Sequence, residues 1–146
     1  MVEHLLVPVD VGPLGERAFV PSIELARQLG AAITGFVVEP FGAAPVPKGS
    51  APLAVDTPRT DAGLQAHAHA VLARFEGLAR EAGVPFHSAA TQAVEVSEAI
   101  LAAAREHGCD MIVMVTHGRG LLAELLWGSN TRKVVAQTRL PVLVLH

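Results

Sequence analysis

The chain is poor in cysteine, in surplus charge of either sign and in long apolar runs, and each shortage closes off a class of function. Cys109 is the only cysteine, so no internal disulfide and no thiolate metal cluster can form, which favours a reducing compartment. The formal net charge is −3, with a pI near 6.1, and a duplex binder needs a basic face to neutralise phosphates. DNA and RNA are therefore not expected partners. No uninterrupted apolar stretch reaches about 18 residues, and the opening Met1-Val2-Glu3-His4 lacks the basic start and long apolar segment of a secretory signal. The expectation is a cytoplasmic protein with no membrane contact.

Defining catalytic strings are missing as well. There is no Gly-x-Ser-x-Gly nucleophile elbow, and no Gly-Lys-Ser/Thr ending of a P-loop. His67 and His69, two apart on a helix, point to different faces and cannot converge on one metal as an i, i+4 pair could. Solvated helix positions are the expectation for both. Cys109 reads as a small buried hydrophobe ahead of a strand.

What is present is a well-stocked core: 51% of the 146 residues are hydrophobic and 17% charged, enough for one globular domain spanning residues 1–146. Apolar runs of strand length alternate with segments of helical period, the pattern of a parallel sheet covered on both faces. Five strands are expected, at Leu5–Val9, Ala31–Val38, near Phe86–Thr91, at Met111–Val115 and at Val142–Leu145. The first intervening helix carries Phe19, Ile23, Ala26 and Leu29 and stops at Gly30, with Pro21 expected to kink or loosen its early turns. The second carries Leu64, Ala68, Val71, Phe75, Leu78 and Ala82 and stops at Gly83. A third runs from about Val96 to His107, and a fourth starts near Ser129 and ends before Pro141. Five of the ten prolines fall between Pro40 and Pro58, which marks a long loop, expected to act as a mobile lid from Pro40 to Arg59.

In an open parallel sheet, ligands bind beyond the carboxyl ends of the strands where strand order reverses. Two segments belong there. One is Val7-Pro8-Val9-Asp10-Val11-Gly12; the other is Met114-Val115-Thr116-His117-Gly118, followed after nine residues by Gly128-Ser129-Asn130-Thr131. In the second, glycine permits close backbone approach, while free N–H groups and hydroxyls at a helix start favour an anion. Arg119, Arg132 and Lys133 stand close enough in sequence to add positive charge. The alternative for Ser129 is an ordinary helix N-cap, and for Asp10 a capping carboxylate.

These two segments, with Pro141-Val142-Leu143-Val144 at the end, resemble the universal stress protein family along nearly the whole chain. The resemblance implies a three-layer α/β/α, Rossmann-like fold with a five-stranded parallel sheet in the order 3-2-1-4-5. It also implies a regulatory, stress-response function based on ATP or a related adenine nucleotide, with Mg2+ as the companion cation. Carried over position by position, Pro8, Val9 and Asp10 would meet ribose or adenine, and Val37 would line the adenine pocket. Met114, Val115 and His117 would sit beside the phosphates, which Gly118, Gly128, Ser129 and Thr131 would hold, with Asn130 offering a backbone contact. The family motif reads Gly, two residues, Gly, nine residues, then Gly-Ser or Gly-Thr; Gly118 and Gly128-Ser129 match it, whereas Val115 stands at the first glycine. Val94-Glu95-Val96 likewise replaces a common Gly-x-Pro.

Three readings stay open at this stage: a nucleotide-binding regulator, a dimeric interaction module without nucleotide, and a slow ATP hydrolase with His117 as proton acceptor. No catalytic residue and no metal ligand is assigned, because no general base with a supporting partner is evident. The apolar last strand would otherwise be an exposed sheet edge, so a homodimer through it is expected, alongside a regulatory partner protein whose identity is unknown.

Overall fold

A computed structural model of the chain describes residues 1–12, 15–40, 57–115 and 121–145, with backbone alone at 40, 57–64 and 121–128. Five apolar segments form the strands β1 (His4–Pro8), β2 (Ala32–Pro40), β3 (Phe86–Ala93), β4 (Met111–Val115) and β5 (Val142–Leu145). All are parallel, in the order β3-β2-β1-β4-β5. Four helices connect them: α1 (Phe19–Leu29), α2 (Thr57–Glu81), α3 (Val96–Glu106) and α4 (Leu121–Gln137). The expected fold class and strand order are thus found.

Period-two alternation along the strands divides the core into two layers. Leu5, Val7, Ile33, Val37 and Val113 pack with α1 and α2 through Phe19, Ile23, Val71 and Phe75. Leu6, Phe36 and Ile112 face the other way, onto Ile100, Leu101 and Ala104 of α3 and Val134 of α4. In the first layer Phe19 stacks on Phe75 at 4.4 Å between ring centroids, and Phe75 meets Phe86 edge-on at 4.8 Å. Gly35 lies beneath these rings because a β-carbon there would come within 2.5 Å of the Phe86 ring and 3.1 Å of Phe75. The aromatic cluster requires a strand position without a side chain.

Helix ends follow the glycines: Gly30, Gly83 and Gly108 all adopt positive φ, where an L side chain is strained. Helix starts diverge from expectation in three places. Pro21 is the third residue of α1, where N–H groups lack intrahelical partners anyway, and a 3-10 turn at Gly15–Ala18 leads in directly. α2 begins at Thr57, before Leu64, with Pro58 in the first turn where proline is tolerated. Most of the expected lid, residues 41–56, lies outside the described residues.

The third divergence bears on the site. α4 starts at Leu121, not near Ser129, because the string Leu121-Leu122-Ala123-Glu124-Leu125-Leu126 consists of strong helix formers. Gly128 to Thr131 therefore sit inside the helix, and their N–H groups belong to its hydrogen-bonded ladder.

Candidate functional site at the ends of β1 and β4

β1 and β4 are adjacent, yet the connection after β1 leads to β2 on one side and that after β4 leads to β5 on the other. This is the switch point of the sheet. β1 ends with Pro8 paired to Phe36, and the Val9 N–H makes a last bond to the Phe36 carbonyl at 2.8 Å. Asp10 comes next and is exposed at the strand mouth.

The turn after Asp10 depends on a glycine that sequence reasoning overlooked. A β-carbon on Gly15 would overlap the Asp10 carbonyl, so the backbone of the 3-10 turn packs directly against the peptide that carries Asp10. The Gly15 N–H also donates to the Gly12 carbonyl at 2.9 Å, closing the turn. The available signal was the spacing Asp10, Gly12, Gly15 at the exit of a buried strand.

On the other side of the switch point, Met114 and Val115 are half-buried and pair with Val144 and Leu145. Val115 is thus the final sheet residue of β4. His117 and Gly118 lie outside the described residues, as does any role of His117 as a base. In α4, Ser129 is exposed, Asn130 half-buried and Thr131 buried, with the Gly128 backbone one residue before them. Val37 is 1% exposed and belongs to the core layer under α1 and α2, so only its backbone could face a ligand.

Charge near α4 is partly committed. The Lys133 ammonium donates to the Glu95 carboxylate at 3.0 Å, tying α4 to the residue before α3, while Arg132 is exposed. Among the described residues, no group of three or more His, Cys, Asp or Glu could hold a metal ion, and no helix is long and apolar enough to cross a membrane. Cys109 is buried and its thiol is pushed up to about 11, chiefly by burial, with a Thr34 hydrogen bond opposing. A thiol so held stays protonated at neutral pH and does not serve as a nucleophile.

Over 64 residues, 44% of the chain, it is 42% identical to a protein of Thermus aquaticus described as universal stress protein in QAH/OAS sulfhydrylase 3'region; the match spans 47% of that relative's length. A universal stress protein solved in complex with cAMP is 18% identical with a TM-score of 0.69, covering 99% of this chain and 97% of that one. The universal stress protein from Archaeoglobus fulgidus in complex with dAMP is 21% identical with a TM-score of 0.62, each chain being covered in full. At these identities the two structures speak for the fold. The description of the universal stress protein family fits residues 1–146 from end to end, and the chain belongs to that family.

Proposed function

We propose that the protein binds an adenine nucleotide, ATP or a close relative with Mg2+ as companion cation, at the mouth of β1 and β4, and that occupancy regulates a partner protein. The observation that carries this is the position of Asp10: a carboxylate at the switch point, on a peptide pinned by the close approach of Gly15. A carboxylate carried on a packed backbone accepts hydrogen bonds from a ribose diol, and the apolar ends of β1 and β4 suit a purine ring. Two proteins of the same fold were solved with cAMP and with dAMP, which supports adenine as the base. Ser129, Asn130 and Thr131 then act through side chains, since their N–H groups lie within α4.

A second reading, the interaction module without nucleotide, is favoured by Val115 and by the course of α4 through Gly128–Thr131. In both readings two chains associate through β5, whose outer edge is the end of the sheet, and the protein works in the cytoplasm. Calorimetric titration of ATP, AMP and cAMP, with and without Mg2+, into native protein and Asp10→Ala separates them. One saturable site, weakened at least about tenfold in Asp10→Ala, is expected, because a charge-assisted hydrogen bond is lost. Absence of binding by folded native protein would leave the interaction module.

A further inference from the structure

A buried acid stands on the wrong face of β2. Alternation places Ile33, Gly35, Val37 and Glu39 on one side, the side covered by α2, so the inward stripe ends in a carboxylate where a hydrophobe is expected. Glu39 is 3% exposed, and its Oε1 has no hydrogen-bond partner among the described residues. A buried carboxylate oxygen without a hydrogen-bond partner is costly, and a cationic donor offsets that cost.

Beside it is space for one. Glu39 lines a cavity of about 510 Å³ between α2 and the C-terminal halves of β2 and β3. Its opposite wall is a single helical stripe, Gln65, Ala68, His69 and Leu72, at i, i+3, i+4 and i+7. His69 is exposed, as the sequence placed it, and stands at the cavity's solvent side. On β3, Ser88 and Ala90 share the face of Phe86, and both are small and exposed, so the cavity opens to solvent on that side. None of Pro8, Val9, Asp10, Val37, Met114, Val115, Asn130 or Thr131 lines it.

We propose that this cavity is a second ligand site, separate from the nucleotide cleft, for a small organic cation whose amine, amidine or guanidine group pairs with Glu39. The volume is that of a small-molecule pocket and far exceeds what a bare ion fills. Ala68, Leu72 and Ala90 offer an apolar bed for the body of the molecule, and Gln65, His69 and Ser88 offer polar contacts at its rim. Selectivity comes from the buried carboxylate, because a neutral isostere leaves it unpaired.

The test is an amide chemical-shift titration of the full chain with benzamidine, and with neutral benzamide as control, each with and without adenine nucleotide. Saturable shifts at Ser88, Ala90 and His69 are expected with benzamidine and none with benzamide, whether or not nucleotide binds. Glu39→Gln, nearly isosteric, should weaken benzamidine at least about tenfold. Ala90→Leu fills the cavity while keeping the carboxylate, and it should abolish binding with the amide spectrum otherwise native. Equal binding of benzamide, unchanged affinity in Glu39→Gln, shifts at Asp10 and Val115 instead, or no saturable response would each overturn the proposal.

Discussion

Two glycines in the turn after β1 should respond oppositely to the same methyl group. Gly15→Ala puts a β-carbon on top of the Asp10 carbonyl, a backbone atom that cannot rotate away, so either the 3-10 turn or the end of β1 must move. Forced overlap in a packed site costs about 1–3 kcal/mol. Gly12 is the internal control: among the described residues a β-carbon there meets nothing within 4 Å, and its φ is not positive. Gly12→Ala reduces unfolded-chain entropy without strain and should leave stability unchanged or raise it by up to about 1 kcal/mol. Urea unfolding followed by circular dichroism gives both values, provided the transition is two-state and m is unchanged. The same displacement moves Asp10, so Gly15→Ala should also weaken nucleotide binding while Gly12→Ala does not. Equal stability of the two variants would refute the close packing of Gly15 on the Asp10 backbone.

Other perturbations probe separate parts of the account. Gly35→Ala crowds Phe86 and Phe75 and should cost about 1–3 kcal/mol by urea unfolding, and a neutral result would mean the aromatic cluster can shift aside. Val115→Gly should tighten ATP binding by calorimetry, while costing about 1–3 kcal/mol of stability in lost packing and added chain entropy; tight native binding without any gain would show valine compatible with the site. Burial, with His87 beside it, holds His4 below its ordinary value, so the fold favours neutral His4; its stability contribution is complete above about pH 6.5 and is lost as pH falls below that. The urea midpoint should therefore drop between pH 7 and pH 5, and drop less in His4→Gln. Burial alone would raise Asp110, but backbone N–H bonds from Glu3 and His4 hold it low, so its contribution is lost only in stronger acid. Light scattering at micromolar concentration should give twice the 15.3 kDa of one chain, and a monomer would count against pairing through β5.

Strands were legible because a parallel strand covered on both faces is a short continuous apolar run, and Leu5–Val7 or Met111–Val115 can be little else. Helix stops were legible because Gly30, Gly83 and Gly108 supply the one backbone conformation other residues resist. Starts were harder. Thr57 and Pro58 look like loop residues until they are seen to occupy a first turn, and Leu121 to Trp127 disappeared into a motif spacer. At the site, Asp10 was found because strand ends carry function in this architecture, while Gly15 was missed because its reason is a backbone approach within the turn that the glycine spacing only hints at. Glu39 could have been found by alternation, since an acid two positions after inward Val37 must also point inward. His67 and His69 were legible as solvated positions, since residues two apart on a helix cannot both turn inward, and both are exposed.

The central claim is that an adenine nucleotide occupies the mouth of β1 and β4, and amide chemical-shift mapping with AMP and ATP tests it most directly. The account predicts saturable shifts at Asp10, Gly12, Gly15 and Val115, with Ser88 and Ala90 unmoved. A native, folded protein that shows no saturable shift with either nucleotide up to millimolar concentration would contradict it, as would shifts confined to residues away from the ends of those two strands.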